Sequence, residues 1–348
     1  MKLSKMILTG VVGLLSISLA ACGGNGGGEG DAGGGESQTV WKLAFNQTDQ
    51  HPQYLAGVEL GKQLEEATDG RYSIDVYPNE QLGTQSDVIQ NLSDGTVELM
   101  YVGGPVMEGF NKDFIVYNLP YMFESIEAQQ EVFRDPDLND ELFASIEESK
   151  SITVLAALHA GVRNVYNSKH AIQTPEDLDG LKIRVQQSDS QVRMIELMGG
   201  IASPMGQGEV YSALQTGVLD GAENNETVFD ALKHSEVAKY YSYTRHLMIP
   251  DYLLISTKAL DAMDDADRQA FLDLIPGIQD MADDGFKTFV AESIANSEAI
   301  GAQFNDDVDA AAFKALVQPL IDESVNENDA RKAMYEAIQA ANAANPAS

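Results

Sequence analysis

The spacing of apolar and polar positions predicts alternating strands and helices through the first half of the chain. An apolar run over 40–45 predicts a buried strand, and Pro at the start of the next apolar pattern predicts a helix over about 52–68. Residues 72–76 alternate between apolar and polar, as a half-buried strand does. Further helices are expected over 87–92, 126–134 and 139–148, and further strands over 99–102 and 152–158. This alternation predicts an α/β fold.

A second series of the same kind begins near residue 160. Thr174 and Pro175 form a helix-start pattern, with the hydroxyl as cap and Pro at the first helical position, and Gly180 ends that short helix. The series continues with a strand over 182–185, a helix over 189–198, a β-α alternation over 210–222 and long Ala-rich helices from 264 onward. The chain is long enough for two α/β lobes.

The N-terminal residues have the pattern of an export signal. Lys2 and Lys5 precede an uncharged apolar run over 6–19, which is too short for an ordinary transmembrane helix. The run ends in Leu-Ala-Ala before Cys22, and this pattern resembles the lipobox of bacterial lipoproteins. We therefore predict a signal peptide over 1–21, with lipidated Cys22 opening a Gly-rich tether over 22–37.

Composition excludes several classes of function. The chain has 22 Lys and Arg against 54 Asp and Glu, a formal net charge of −32, which excludes nucleic acid as a partner. Cys22 is the only cysteine, so no disulfide framework is available, and the five histidines show no metal-ligand spacing. Asp135 and Asp137 imitate the opening of a calcium loop, but Ile146 stands where its bidentate Glu belongs.

Catalytic motifs are not found either. The sequence has neither a GxSxG element nor a P-loop, and the single cysteine is assigned to lipid. The GxGxxG match at Gly28, Gly30 and Gly33 lies in the tether, without a preceding strand or a following helix. We expect a binding protein that is not an enzyme and needs no cofactor or metal.

Two arginines are candidates for binding an anion. Arg184 lies in an apolar strand between Ile183 and Val185, where a buried guanidinium needs an anionic partner. Its planar fork matches a carboxylate bidentately, so a ligand carboxylate and a structural salt bridge are equally compatible with the sequence. Arg163 is a second, weaker candidate.

The stretch from Ser203 to Asn225 resembles the solute-binding proteins of tripartite ATP-independent periplasmic (TRAP) transporters, of the dicarboxylate-binding (DctP) type. Other matching strings follow in the order of that family: Phe45-Asn46, Tyr77-Pro78-Asn79, Asn118-Leu119-Pro120-Tyr121, Gly161-Val162-Arg163 and Leu181-Lys182-Ile183-Arg184-Val185. The resemblance covers nearly everything from Val40 to the C-terminal helices. It implies two α/β lobes with a ligand cleft between them and long C-terminal helices.

The resemblance also implies roles for individual residues. Arg184 matches the principal carboxylate-binding Arg of the family, and Arg163 matches a second Arg in the cleft. Asn224 matches an Asn in the cleft, and Asn46 matches a ligand contact of the first lobe. His246 matches a His that sialic-acid-binding members carry near the hinge. Sialic-acid-binding members carry an acidic residue where this chain has Gly103 and an aromatic one where it has Gln207, which argues against sialic acid.

The strings Asn46–Tyr54 and Arg163–Asn167 look most like the branch that binds uronates and other sugar acids. Neutral side chains such as Gln186, Gln187 and Gln207 suit the hydroxyls of such a ligand. The predicted ligand-binding set is Arg184, Arg163, Asn224, Asn46, His51, Gln186, Gln207 and His246.

We therefore predict a monomeric, lipid-anchored, extracytoplasmic subunit that delivers a sugar acid to a TRAP permease in the membrane. The first lobe is expected over 38–160 with about 250–289, and the second over 161–249 with about 290–348. Alternatives are a C4-dicarboxylate ligand, a sensory receptor, an ABC-type binding protein and a secreted lipoprotein enzyme.

Overall fold

Residues 38–347 are described by the computed structural model, and they fold around two mixed β-sheets. The predicted signal peptide, Cys22 and nearly all of the tether lie outside these residues. No helix within 38–347 has the length and apolar character needed to cross a membrane.

The first sheet has five strands in the order β2-β1-β3-β10-β4. Its strands are β1 (Thr39–Ala44), β2 (Tyr72–Tyr77), β3 (Leu99–Gly103), β4 (Ile152–His159) and β10 (Pro250–Ser256). The strands β2, β1 and β3 are parallel, and β10 runs antiparallel between β3 and β4. All five residues of β3 are buried, as expected for a central strand covered on both faces.

The second sheet has six strands in the order β11-β9-β5-β8-β6-β7. Its strands are β5 (Arg163–Asn167), β6 (Lys182–Val185), β7 (Ile201–Pro204), β8 (Gly221–Asn224), β9 (Tyr240–Leu247) and β11 (Gln303–Asn305). The strands β7, β6 and β8 are parallel, and β5 runs antiparallel between β8 and β9.

Helices cover both sheets. In chain order they are α1 (Pro52–Ala67), α2 (Gln85–Asp94), α3 (Gly104–Met107), α4 (Ile126–Phe133), α5 (Pro136–Lys150), α6 (Asp189–Leu197), α7 (Val210–Thr216), α8 (Glu226–Ala231), α9 (His234–Val237), α10 (Thr257–Asp261), α11 (Asp265–Ala299), α12 (Ala310–Val325) and α13 (Asp329–Ala344). Short 3₁₀ turns span Lys112–Asn118, Pro175–Leu178 and Gln207–Glu209. The last helices are long, as predicted.

The chain crosses between the sheets at two short segments. Residues 160–162 join β4 to β5, and residues 248–249 join β9 to β10. The 35-residue helix α11 contacts α1 and β4 of the first sheet as well as α8, which follows β8 of the second sheet. Such short crossings are the geometry of a hinge between two packed bodies.

Separate apolar clusters support the two sheets. On the first sheet, Trp41 packs edge-on against Phe271 of α11, with ring centroids 5.4 Å apart. On the second sheet, Tyr166 stacks on Tyr241 at 5.9 Å within a cluster that includes Phe229. Each of these rings is at most 2% exposed. A third, larger cluster contains buried residues of both sheets, such as Met100 and Ile183, so the two sheets also share a core.

The C-terminal helix α13 packs against α4 and the turn Lys112–Asn118. Arg331 of α13 donates from Nε to Asp113 Oδ1 at 2.6 Å. The predicted boundaries place α13 in the second lobe, whereas α4 and the turn Lys112–Asn118 belong to the predicted first lobe. The chain passes from one sheet to the other at residues 160–162 and 248–249.

The apolar pattern predicted most elements correctly and missed others. Pro175–Leu178 is a 3₁₀ turn instead of a helix, because Gly180 follows too soon for a full α-turn. The strands β9 and β10 were not predicted. Tyr, Ser, Thr and His dominate β9, and it is held by pairing with β5, which lies more than 70 residues away along the chain.

Candidate functional site

Several strands direct their carboxyl ends to one place between the two sheets. Asn46 follows β1, Gly103 ends β3, Gln186 follows β6 and Asn224 ends β8. In open α/β sheets, ligands bind outside the carboxyl ends of the strands. The topology therefore brings polar residues from both sheets to one candidate site.

Arg184 lies at this site with its guanidinium buried and without a carboxylate partner in the described chain. Its side chain is 3% exposed. Nε and Nη2 donate to the Met205 carbonyl at 3.0 and 2.7 Å, and Nη1 donates to Gln207 Oε1 at 3.1 Å. These bonds use three of the five guanidinium N–H groups. Among residues 38–347, no carboxylate oxygen lies within 4.0 Å of it.

The charge of Arg184 is incompletely compensated. Burial lowers its pKa to about 10, and the positive charge of Arg163 adds to this effect, although Glu223 opposes it. A carbonyl and an amide oxygen are weaker partners for a guanidinium than a carboxylate is. The site is thus prepared to accept an anion.

Arg163 lies nearby and already has an anionic partner. Its Nε and Nη2 donate to the two carboxylate oxygens of Glu223, each at 2.6 Å. Nη2 also donates to the Glu223 carbonyl, and Nη1 donates to Asn224 Oδ1 at 2.9 Å. Arg163 is 4% exposed and Glu223 is fully buried, so this is a buried bidentate ion pair.

The pKa values of Glu223 and of the neighbouring His246 are both shifted. Burial alone would raise the pKa of Glu223, but Arg163 and the His246 ring together lower it to about 2. Burial lowers the pKa of His246. His246 Nδ1 lies 2.8 Å from Thr244 Oγ1, whereas Nε2 lies 3.5 Å from Glu223 Oε2 without hydrogen-bond alignment. His246 therefore contacts the ion pair.

Gln186 and Gln207 supply unpaired polar atoms beside Arg184. Both side chains are buried, and Gln186 Oε1 and Gln207 Nε2 have no hydrogen-bond partner within residues 38–347. Gly103 makes room for Gln186, because a Cβ at Gly103 would lie 2.5 Å from Gln186 Nε2. The Gly at position 103 is thus coupled sterically to a Gln at position 186.

A small cavity beside Arg184 is lined also by Gln186 and Gln207, and Asn46 lines a second small cavity. Glu80 and Gln85 line both, so the two cavities are neighbours. Gln85 Oε1 accepts from the Gly103 amide at 2.8 Å, which fixes the end of β3 at this point. The structure thereby brings Asn46, Arg184, Gln186 and Gln207 together.

His51 is not part of this group. Its Nδ1 accepts from the Gln53 amide at 3.2 Å as the N-cap of α1. Its ring packs edge-on against Phe45, Phe286 and Phe289, with centroids 5.3 to 5.7 Å apart, and burial lowers its pKa to about 3. These contacts are those of a helix cap within an aromatic cluster.

Glu80 is a site residue that the sequence analysis missed. It lies in the turn after β2, where Asn79 and Glu80 have φ values of 57° and 55°. Two consecutive non-glycine residues in the left-handed region store strain, which is common at functional sites. Burial raises the pKa of Glu80, against the influence of the Gly208 amide and of Arg184. The strained backbone could not be recognised from residue types.

Hydrogen bonds connect residues that follow strands and helices of the first sheet to residues that follow β6 and β7 of the second sheet. Glu80 Oε2 accepts from the Gly208 amide at 2.8 Å. Glu108, which follows α3, accepts from the hydroxyls of Ser188 and Ser190 at 3.0 and 2.7 Å. These bonds hold the two bodies together in the conformation described.

The described residues do not form a metal-binding group at this site. Within residues 38–347, no three His, Asp or Glu side chains are grouped so that they could hold a metal ion. Asp135, which imitates a calcium-loop ligand in the sequence, accepts from the Asp137 amide as the N-cap of α5.

Comparison with known proteins agrees with this geometry. The family model of the bacterial extracellular solute-binding proteins, family 7 (DctP), matches residues 43–328. A solute-binding protein from Chromohalobacter salexigens is 35% identical over 302 residues, which cover 83% of this chain and 86% of its own.

Two solved structures are also similar. A TRAP periplasmic solute-binding protein from Anaerococcus prevotii with bound α/β-D-glucuronate has a TM-score of 0.86 at 36% identity, covering 89% of this chain and all of its own. One from Xanthobacter autotrophicus with bound β-D-galacturonate has a TM-score of 0.82 at 32% identity, covering 86% and 99%.

These matches confirm the predicted family and the two-lobed α/β fold class. They extend over both sheets and the carboxyl-end site between them. The chain belongs to the bacterial extracellular solute-binding proteins of family 7, the DctP family of TRAP transporter solute-binding proteins, and is accordingly a binding protein and not an enzyme.

Proposed function

We propose that this protein captures a uronate, such as D-glucuronate or D-galacturonate, with the ligand carboxylate on Arg184, and delivers it to a TRAP permease. The observation that carries the proposal is the buried Arg184 guanidinium, which has no carboxylate partner within residues 38–347. The bound uronates of the two similar structures support the ligand class.

The carboxylate assignment follows from charge compensation. A buried guanidinium that meets only neutral oxygens gains a stronger, charge-assisted bond when a carboxylate enters. Two of its N–H groups remain for that ligand. The charge of Arg163 is already compensated by the Glu223 carboxylate, and Arg163 also donates to Asn224. Arg163 and Asn224 therefore serve the site by positioning the strands beside Arg184.

The hydroxyl-bearing part of the ligand is assigned to the neutral polar atoms of the site. Gln186 Oε1 can accept a hydrogen bond and Gln207 Nε2 can donate one. Asn46 lines the neighbouring cavity and is assigned to the end of the sugar ring away from the carboxylate. A ligand without hydroxyls would leave these buried groups unpaired, which penalises its binding.

The charge count favours one carboxylate over two. A C4-dicarboxylate needs compensation for two anionic groups, but Arg184 is the single guanidinium of the site without a carboxylate partner in the described chain. Glu80, which lines the same cavity as Arg184, would repel a second anion. The dicarboxylate alternative is therefore less well supported.

Capture requires the two sheets to separate. The cavities at Asn46 and Arg184 have volumes of about 10 and 20 Å³, room for roughly one water each. Opening would break the bonds of Glu80 to Gly208 and of Glu108 to Ser188 and Ser190. Rotation about the crossing segments at 160–162 and 248–249 would then admit the ligand, and closure would bury it.

The membrane arrangement is also part of the proposal. Cys22 carries the lipid, the Gly-rich tether connects it to a monomeric binding domain, and the permease receives the ligand at the outer face of the membrane. Cys22→Ser should release the protein from the membrane fraction while ligand binding persists. A variant that stays membrane-bound with an unmodified N-terminus would show that the lipid prediction is wrong.

The ligand is tested by calorimetry on the purified mature protein. D-glucuronate and D-galacturonate should bind, whereas D-glucose, which keeps the hydroxyls but lacks the carboxylate, should not. At a hundredfold excess over Kd, ligand should raise the free energy of unfolding by about 2.7 kcal/mol. Tighter binding of succinate or malate than of any sugar acid would overturn the uronate assignment.

A further inference from the structure

A separate cavity of about 430 Å³ lies away from Arg184, beside the first crossing segment. Its walls come from α4, from Gly161 and Val162 of the crossing segment, from the start of α8 and from α11. This volume is within the range of small-molecule sites. None of the predicted ligand-binding residues lines it.

One buried carboxylate in this cavity has no partner. Glu226 is 8% exposed and lines the cavity, and it forms no ion pair and no side-chain hydrogen bond with another described residue. Burial raises its pKa to about 7, with its own amide and Arg245 opposing that effect weakly. A cation bound in the cavity would favour the ionised form of this side chain over the neutral form that burial favours.

Most of the remaining lining is acidic or apolar, and Gln130 and the buried His159 also contribute. Glu127, Asp283 and Asp284 add negative charge, and Lys287 opposes them. Asp283 is bonded to Arg134 at 3.0 Å, but Lys287 forms no ion pair within 4.0 Å in the described chain. Ile126 and Phe286 supply apolar surface. The walls thus suit an apolar body with one positive charge.

A metal ion does not fit these residues. Within 38–347 no three acidic or histidine side chains are close enough together to hold one. An organic ammonium ion needs only one carboxylate for its charge and uses apolar walls for its carbon atoms.

We propose that this cavity is a second binding site, which takes a small organic ammonium ion with its charge on Glu226. The site is distinct from the uronate site, because it shares no lining residue with the cavities at Arg184 and Asn46.

The test uses choline and n-butylammonium as probes, titrated calorimetrically at about 0.5 M NaCl, where weak surface attraction to an acidic protein is screened. Neutral isosteres, 3,3-dimethylbutan-1-ol and 1-butanol, serve as controls. At least one ammonium probe should bind saturably at one site per chain, and its isostere should bind at least tenfold more weakly. No saturable binding, or equal binding of the isosteres, would overturn the proposal.

Three variants locate the site. Glu226→Gln should weaken the probe at least tenfold, whereas Glu292→Gln, an equal charge change at an exposed position of α11, should leave its affinity within about twofold. Lys287→Met should strengthen binding by about threefold, because a competing positive charge is removed. Cooperative thermal unfolding verifies that each variant is folded. Equal affinities of Glu226→Gln and Glu292→Gln would place the probe elsewhere and refute the assignment.

Discussion

Arg163 and Arg184 lie in the same sheet and are 4% and 3% exposed, yet their surroundings differ. Arg163 meets both oxygens of Glu223 at 2.6 Å. Arg184 meets a backbone carbonyl and an amide oxygen. The raised pKa of Arg163 reflects attraction to Glu223 that outweighs burial, whereas burial prevails at Arg184 and lowers its pKa.

The comparison teaches that burial alone does not identify a ligand anchor. A buried charge with a bidentate partner already belongs to the folded protein, and removing it leaves the partner uncompensated. A buried charge without such a partner contributes little to folding, and its compensation can come from a ligand. Stability and affinity should therefore separate at these two residues.

The largest effect is expected from Arg163→Met. This substitution leaves Glu223 fully buried without its partner, so the free energy of unfolding should fall by about 3 to 5 kcal/mol. Chemical denaturation of the ligand-free protein measures the change. Adding Glu223→Leu to the same protein should restore much of the loss, since the lone charge is then removed.

The matched control for this prediction is Arg245→Met. The Arg245–Asp306 pair is mostly exposed, so its loss should change the free energy of unfolding by less than about 1 kcal/mol. If Arg163→Met costs no more than Arg245→Met, the Arg163–Glu223 pair is not the structural pair described here.

Arg184→Lys should produce the converse result. Lys keeps the charge but loses the planar fork, so affinity for D-glucuronate should fall by about 2 to 5 kcal/mol, roughly 30-fold to several thousandfold. The free energy of unfolding without ligand should change little, because no anionic partner is lost. Calorimetry and denaturation of one protein give both numbers.

The control for that variant is Arg193→Lys, at an exposed position of α6. Its affinity for D-glucuronate should stay within about threefold of the parent. An Arg184→Lys protein that also binds within threefold would eliminate Arg184 as the carboxylate anchor.

Much of this comparison was predictable from the sequence and part of it was not. The apolar neighbours of Arg184 indicated burial, and the family resemblance indicated its role. The partner of Arg163 lies 60 residues away on a neighbouring strand, and side-chain pairing at that distance is decided by strand register. The acidic residue Glu223 within the buried strand β8 was the available signal.

Glu80 and the bonds across the site were beyond the reach of pattern analysis. The turn at Asn79 and Glu80 is held by backbone hydrogen bonds. The Asn79 amide donates to the Gln47 carbonyl, and the Glu80 amide donates to the Phe45 carbonyl. These bonds depend on the parallel pairing of β1 and β2, which is a tertiary contact. Residue types predict propensity for such a turn, but not the direction in which its carboxylate points.

An intermediate effect is expected at Gln207, which binds Arg184 through Oε1 and leaves Nε2 unpaired. Gln207→Leu should weaken D-glucuronate by about 10-fold to 100-fold, the range of a hydrogen bond to a charged group. The preference for D-glucuronate over butyrate should also fall, because a donor for hydroxyls is lost. Calorimetric titration with both acids measures the ratio.

Gln303→Leu, at an exposed position of β11, is the control and should change neither affinity. If Gln207→Leu weakens both acids by the same factor, Gln207 acts only by orienting Arg184. An unchanged affinity for D-glucuronate would remove Gln207 from the site.

The smallest effect is expected at Glu80, whose carboxylate lines the same cavity as Arg184. Near neutral pH an ionised Glu80 should repel the ligand carboxylate, and Gln at this position retains an acceptor for the Gly208 amide. Glu80→Gln should therefore strengthen D-glucuronate binding by about threefold, the scale of a partly screened charge interaction.

The same pair of proteins should differ in pH dependence. Burial raises the pKa of Glu80, so as the pH falls this carboxylate becomes protonated at a higher pH than an exposed Glu does. The parent and Glu80→Gln affinities should consequently converge toward low pH and diverge as the pH rises through the raised pKa. Calorimetry over a pH series measures this, with Glu196→Gln, at an exposed position of α6, as the control that should show no such divergence. Weaker binding by Glu80→Gln at every pH would mean that the carboxylate contacts the ligand directly, and the charge balance inferred for Arg184 would then have to include Glu80 as a ligand-binding residue.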